Sequence, residues 1–260
     1  MWLSAPAKVN LGLRILGCRE DGYHLLESLL VPLDLADRVE IEGCDTPSVE
    51  LRIEGDVPGV PEDGSNLIVR AAVAFLEAAG IAAGLRLVLE KRIPAAAGLG
   101  GGSSDAAAVL RGLARIHPGV ISPQGLRELA LGLGADIPFF LDPRPALVTG
   151  VGEEIETIRG VPALSLLLVH PGVGLATSDV YRAYDASRAS LTPVRAGSTM
   201  PVISALREGG DHALAELLEN DLEQAAVRLC PRIGPLRQAI EGSGALGVGM
   251  SGSGPTFFGI

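Results

Sequence analysis

The sequence predicts a chain of mixed strands and helices. Two runs, Ala7–Ile15 and Gly84–Ile93, alternate apolar and polar residues with the period of a strand, and several others repeat apolar residues at helical spacing. A third observation joins the two patterns: "KRIPAAAGLGGGSSDAAAVL", Lys91–Leu110, runs from a strand through a glycine cluster into a helix. Glycine in an ordered segment costs conformational entropy, so the cluster needs a local cause. Either its backbone adopts positive φ or another group lies against the main chain.

In the first strand Val9, Leu11, Leu13 and Ile15 share one side and Lys8, Asn10, Gly12 and Arg14 the other, as in a half-buried strand. Lys8 and Asn10 therefore point the same way. Asp21-Gly22 marks a turn, with Tyr23 and His24 at or just past it. In the second strand Leu85, Leu87, Leu89, Lys91 and Ile93 share a face, which carries Lys91 close to the glycines. Ala106, Val109, Leu110 and Leu113 then predict a helix from about Ser104 to Ile116. Ser122 and Pro123 predict the cap and first residue of another, ending near Gly132–Gly134 with Asp136 just beyond. Further on, "VPALSLLLVHPGVGLATSDVYRAYDAS" predicts a buried strand, a Pro/Gly loop and a helix from Thr177 or Ser178. Ser187–Thr199 is expected to be a loop, Val202–Leu229 helical, and the last residues a second glycine-rich loop between short apolar strands.

With 260 residues, 47% of them hydrophobic, the chain can bury the core of one large or two modest domains. A net charge of −10 argues against a broad nucleic-acid or anionic-membrane surface, which needs clustered Lys and Arg. A small anionic ligand still fits if positive charge is concentrated locally. Cys18, Cys44 and Cys230 are odd in number and without C-x-x-C spacing, so neither a disulfide framework nor a zinc site is expected, and a reducing cytoplasm fits best. No basic segment precedes an apolar core at the start, and no run reaches roughly 18 apolar residues, so neither secretion nor membrane insertion is expected. Of 21 Lys and Arg residues only Lys8 and Lys91 are lysine. Coding bias accounts for the scarcity, but not for one of the two standing beside the glycines. Lysine is a compact point charge where arginine is a planar fork, so the two do not serve the same site.

Three phosphate-binding patterns compete for the glycines. A Walker A loop requires a Gly-Lys pair, and the chain has none. G-x-G-x-x-G is matched at Gly242/Gly244/Gly247 and at Gly247/Gly249/Gly252, too near Ile260 for the βαβ unit that must follow. What remains is an anion cradle at Gly98–Ser104 built from loop and helix-start N–H groups, or a glycine loop packed tightly on a neighbour.

"IPAAAGLGGGSSDAA" resembles the central phosphate-binding motif of the galactokinase, homoserine kinase, mevalonate kinase and phosphomevalonate kinase (GHMP kinase) superfamily. "PAKVNLGLRILGCREDGYHLLES", "GADIPFFL" and "MSGSGPTFF" resemble motifs of its branch acting on 4-diphosphocytidyl-2-C-methyl-D-erythritol. The resemblance implies a two-domain α+β fold, with an ATP-binding domain over residues 1–158 carrying the glycine-rich phosphate loop and a C-terminal α/β sandwich domain over 159–260. It implies transfer of the γ-phosphoryl group of ATP, with Mg²⁺, to the 2-hydroxyl of that substrate in the non-mevalonate isoprenoid route.

By the same resemblance Lys8 and Asp136 are catalytic, although Asp136 taken alone reads as a helix cap and Lys8 as a solvated strand lysine. Asn66, Lys91, Pro94, Gly98, Leu99, Gly100, Gly101, Gly102, Ser103 and Ser104 are expected around ATP, with Ser104 nearest the metal. Asn66 equally reads as an N-cap. Asn10, Tyr23, His24, Thr177, Tyr181, Gly252, Ser253 and Gly254 are expected around the other substrate, Tyr23 and His24 at cytidine. A turn tyrosine and a solvated histidine are the plainer readings of that pair. The expected partners are small molecules, not nucleic acid or membrane, for a cytoplasmic monomer or homodimer. Another kinase of the superfamily, or a non-catalytic nucleotide-binding protein of the same fold, are the rival readings. Members of the family are expected to continue somewhat past "SGSGPTFFGI".

Overall fold

The computed structural model describes residues 1–55, 57–188, 199–208 and 210–260, so most of the loop expected at Ser187–Thr199 lies outside the described residues. In chain order the elements are strands β1 (Trp2–Cys18), β2 (His24–Cys44) and β3 (Val49–Glu54), helix α1 (Leu67–Ala79), strand β4 (Gly84–Glu90), helices α2 (Gly101–Ile116), α3 (Pro123–Leu133) and α4 (Ile137–Leu141), strands β5 (Ala146–Thr149), β6 (Glu154–Thr157) and β7 (Leu167–Val169), helices α5 (Thr177–Arg188), α6 (Met200–Glu208), α7 (Asp211–Ala215), α8 (Glu223–Leu229) and α9 (Gly234–Gly242), and strands β8 (Val248–Met250) and β9 (Phe257–Gly259). They form two compact units, one of residues 1–8, 32–95 and 100–143, the other of 9–31, 96–99 and 144–260. Both are assembled from separated stretches of chain, whereas the sequence suggests one division near residue 158.

In the first unit β4 pairs antiparallel with β2, Arg38 opposite Glu90 through Cys44 opposite Gly84, and parallel with β3, Val49 opposite Leu85 through Glu54 opposite Glu90. Parallel neighbours need a crossover, and α1 supplies it. Asn66 begins that helix by accepting from the Ile68 N–H, and Gly80, at φ 64°, ends it. Its buried face, with Ile68, Ala72 and Phe75, packs on α2. Full burial of a side chain such as Phe75 contributes about 1.5–3 kcal/mol. Helix α2 lies close to the strands because Gly112 has no side chain: a Cβ there would fall 2.5 Å from Ile41 Cδ1 and 2.9 Å from Leu3 Cδ1. The α2 helix begins at Gly101, three residues before the sequence suggests, so the glycines are part of its first turn. Ser122 caps α3 with Pro123 in the first turn, as expected.

In the second unit Ser28–Leu30 of β2 pairs antiparallel with Ala146–Val148 of β5, which pairs with β6. A separate three-stranded sheet runs β7-β9-β8. Leu13, Ile15, Val180, Leu222, Ile233, Ile240, Met250 and Phe257 form the core of this unit. Arg237 ties α9 to α8 through a two-pronged contact with Glu223 (2.7 and 2.6 Å) and donates to the Val248 carbonyl at 2.8 Å.

Three expectations change. Ala7–Leu13 is buried on both faces, so the first strand is not half-buried and its polar side chains lie inside. The strand before His170 is the short, partly exposed β7. The helix expected over Val202–Leu229 is divided into α6, α7 and α8, with Gly210 at the start of α7 and Asn220 between α7 and α8, where its side chain accepts from the Leu222 N–H. The glycine-rich turn between two apolar strands at the end is present, as β8 and β9.

Candidate active site

The two lysines of the chain lie against consecutive glycines. A Cβ on Gly100 would fall 3.2 Å from Lys8 Cγ and 2.7 Å from Phe140 Cζ, and one on Gly101 would fall 2.9 Å from Lys91 Nζ. Both lysines are buried, and both of these glycines belong to the start of α2, Gly100 as its N-terminal cap at φ 71° with no side-chain capping bond. Burial lowers the pKa of Lys8, and the nearby charge of Asp136 offsets part of that effect. Asp136 is exposed at the N-terminus of α4, and its side chain makes no capping bond there, so capping does not account for this residue. Lys8 and Asp136 both belong to the first unit, near enough for the charge of one to act on the other.

Lys91 is enclosed differently. Its Nζ contacts Asp37 Oδ2 and, at 2.9 Å, Asp105 Oδ2. Asp37 Oδ1 also accepts the N–H groups of Arg92 (2.5 Å) and Ile93 (2.8 Å). Burial would lower the Lys91 pKa, but the carboxylates of Asp105 and Asp37 raise it; burial pushes Asp105 up to about 8 against the pull of Lys91, with Asp37 adding to the rise. The structure thus places Lys91 beneath the loop, held by two acids that the sequence does not mark. Asp105 stands beside the "GGGSS" run and was within reach of it; Asp37, in "LADR", gives no signal.

Ser104 Oγ and Asp105 Oδ1 are buried without a hydrogen-bond partner in the first turns of α2, while Ser103 is partly exposed and Gly102 exposed. A magnesium ion keeps most of its six oxygens as phosphate and water. No group of three His, Cys, Asp or Glu able to hold a metal occurs among the described residues, and the unpartnered Ser104 hydroxyl fits as a single oxygen ligand. Asn66 is committed locally: besides its cap bond, its Nδ2 donates to the Pro61 carbonyl at 2.6 Å. Pro94 is partly buried at the entrance to the loop.

In the second unit the loop residues are tied down through their carbonyls. Leu175 N–H donates to Ala96 O at 3.1 Å, and Ser251 Oγ donates to Gly98 O at 2.9 Å while accepting from the Asn10 N–H at 3.3 Å. Ala96 and Gly98 have φ of 49° and 75°, and Leu99 between Gly98 and Gly100 is buried. Left-handed residues at alternate positions turn successive N–H groups toward one side, the backbone form of an anion-binding concavity. A Cβ on Gly98 would lie 2.2 Å from the Ser251 carbonyl oxygen. Gly98→Ala is therefore expected to destabilise the protein by about 3 kcal/mol or more, read as a lower urea midpoint. An unchanged midpoint would contradict this packing.

Asn10 is buried, and its Nδ2 donates to Ser28 Oγ at 2.7 Å, which donates to Gly12 O at 2.8 Å. Thr177 Oγ1 and Ser253 Oγ are 2.9 Å apart. Gly252 and Gly254, at φ 56° and 81°, form the β8–β9 turn, and Asn220 Nδ2 clamps it by donating to Met250 O (2.7 Å) and Gly252 O (2.8 Å). His24 is not solvated: its Nε2 meets Asp185 Oδ1 at 2.7 Å, and its ring lies 4.8 Å from Tyr181 and 6.1 Å from Tyr184. Tyr23 is 64% exposed on the turn, with its N–H bonded to Asp21. Ser28, Ser251, Asn220, Asp185 and Tyr184 are the additions the structure makes; Ser28 and Ser251 stand inside motif stretches the sequence singles out, and Tyr184 and Asp185 inside the helix predicted from Thr177 or Ser178.

Residues 66–142 match the model of the GHMP kinases N terminal domain and residues 202–260 that of the GHMP kinases C terminal domain. The 4-diphosphocytidyl-2-C-methyl-D-erythritol kinase of Pelotomaculum thermopropionicum is 41% identical over 98% of this chain and 87% of its own length. The chain belongs to the 4-diphosphocytidyl-2-C-methyl-D-erythritol kinase family. A crystal structure of 4-(cytidine 5'-diphospho)-2C-methyl-D-erythritol kinase superposes with a TM-score of 0.81 at 42% identity, covering 100% of this chain and 90% of that one. Homoserine kinase from Cytophaga hutchinsonii shares the fold at 21% identity, with a TM-score of 0.72 over 99% of this chain and 84% of that one. The match to the N-terminal model contains Asn66, Lys91, Gly98–Ser104 and Asp136, and the C-terminal match contains Gly252–Gly254. Lys8, Asn10, Tyr23, His24, Thr177 and Tyr181 fall outside both and are covered by the full-length likeness to the family.

Proposed function

We propose that this chain transfers the γ-phosphoryl group of ATP to the 2-hydroxyl of 4-diphosphocytidyl-2-C-methyl-D-erythritol, a step in making isoprenoid precursors without mevalonate. The observation that carries the reading is the near-complete likeness to kinases of that name. Phosphoryl transfer asks a protein for position, charge stabilisation and a group to take the proton of the attacking hydroxyl. The Asp136 carboxylate takes that proton. Lys8, near Asp136 and packed on Gly100, stabilises negative charge on the attacking oxygen and the transferred group.

Gly98–Ser104 receive the phosphates through backbone N–H groups, with Lys91, Pro94 and Asn66 shaping the adjoining nucleotide site. Magnesium bound with the nucleotide neutralises phosphate charge, and Ser104 offers it one hydroxyl. Asn10, Thr177 and Ser253 provide polar contacts to the erythritol and its diphosphate, with Gly252 and Gly254 bringing backbone close. Tyr23, His24 and Tyr181 hold the cytosine, Asp185 fixing the His24 ring. We assign ATP binding to residues 1–158 and closure over the second substrate to 159–260, and we place the enzyme in the cytoplasm as a monomer or homodimer. No helix among the described residues is long and apolar enough to cross a membrane, and all three cysteines are free.

The test is ADP release with Mg·ATP and, separately, the cytidylyl substrate, homoserine and mevalonate. Turnover with the first alone is the expected result; turnover with homoserine or mevalonate instead would assign the chain to another reaction of the superfamily. Tyr23→Ala is expected to raise KM for the cytidylyl substrate by about tenfold while leaving KM for ATP near its starting value. Equal rises in both would remove Tyr23 from the cytosine site.

A further inference from the structure

The Asp37–Lys91–Asp105 cluster is expensive to bury. Each ion loses several kcal/mol of hydration in the interior, and apolar residues of similar volume commonly give equal or greater stability. The side chains of Lys91, Asp37 and Asp105 are only 3%, 0% and 3% exposed. Stability alone gives no reason to keep them.

Their location does. Lys91 Nζ abuts Gly101, the first residue of α2, where the helix dipole already presents positive potential and disfavours a cation. The first turn has no acidic residue and Gly100 supplies no side-chain cap, so nothing in that turn cancels the potential. Asp37 and Asp105 hold the ammonium there against the dipole. Asp37 is fixed in turn by the Arg92 and Ile93 N–H groups, and Asp105 by its own place in α2, so the cation is anchored from both the strand side and the helix side.

We propose that Asp37, Lys91 and Asp105 are positioning residues for the phosphate loop: the two acidic side chains pin the ammonium under Gly101, where it sets the seat and the positive potential of the first turn of α2 for the triphosphate. Lys91 then acts from behind the backbone, and the cluster governs nucleotide affinity with little effect on the other substrate. This rests on ATP being the phosphoryl donor.

The test uses calorimetric titration of the full-length chain, and of its Lys91→Met, Asp37→Asn and Asp105→Asn variants, with Mg·ADP and separately with the cytidylyl substrate, beside thermal unfolding of each. Lys91→Met is expected to weaken Mg·ADP binding by at least about tenfold, the scale of one charge-assisted contact, and to leave the other Kd within about twofold. The two Asn variants, which keep the size of the side chains, are expected to weaken Mg·ADP binding in the same selective way. Folded variants that bind Mg·ADP as the starting chain does, or that lose both ligands equally, would overturn the proposal and leave the cluster a purely structural feature. A starting chain that binds Mg·ADP without turning over the cytidylyl substrate would refute the proposed reaction while the selective loss in the variants still upheld the cluster. Failure of the starting chain to bind Mg·ADP would refute both.

Discussion

Asp136→Asn is expected to lower kcat by at least about 100-fold, the lower scale for losing a general base, while KM for ATP and for the cytidylyl substrate stay close to their starting values. The side chain does no capping work in α4 and is exposed, so the substitution removes little that supports the fold. Asparagine keeps the shape and loses the ability to take a proton. Thermal unfolding should therefore move little while the rate collapses. A kcat near that of the starting chain would remove Asp136 from the mechanism.

Lys8→Met is expected to cost a further large factor, about 100- to 1,000-fold in kcat, because a buried, preset cation stabilises developing charge far more effectively than a solvated one. Methionine fills the volume of the lysine stem against Gly100 and Phe140, so the packing there is retained. The double variant should be little worse than either single one, since two groups acting as a unit do not give additive losses. Additive losses would separate their roles. A pH test follows from the same pair. Burial lowers the Lys8 pKa and Asp136 opposes that, so removing the Asp136 charge lowers it further, and the alkaline limb of the residual activity of Asp136→Asn should move to lower pH. A limb that stays in place or moves up would contradict the coupling.

Local patterns carried much of this structure. Ser122-Pro123 names the start of α3, and the run of alanines after Ser104 names the body of α2. The scarcity of lysine gains its meaning in space, where the two that exist press on Gly100 and Gly101. What was not legible depends on distant partners. Alternation in Ala7–Ile15 suggests one wet face, but the polar face is covered, and nothing local in a strand reports what packs over it. Asp37 reads as a surface acid until Lys91, 54 positions away, is placed beside it. His24 reads as a solvated turn residue until α5 brings Tyr181, Tyr184 and Asp185 to its ring. Helix α2 starts three residues before the sequence suggests: glycine is a poor helix former, but at this helix start close contacts with Lys8, Phe140 and Lys91 outweigh that propensity.

The central claim is that the phosphoryl group arrives at the 2-hydroxyl, and the position of the new phosphate tests it most directly. In 4-diphosphocytidyl-2-C-methyl-D-erythritol the 2-carbon also carries the methyl group, so it bears no hydrogen. The proton-coupled phosphorus NMR spectrum of the product should therefore contain one new monoester resonance without three-bond proton splitting, formed in step with ADP. A resonance split by neighbouring protons would place the phosphate on a primary or secondary hydroxyl, and ADP formed with no new monoester would mean hydrolysis; either would contradict the account.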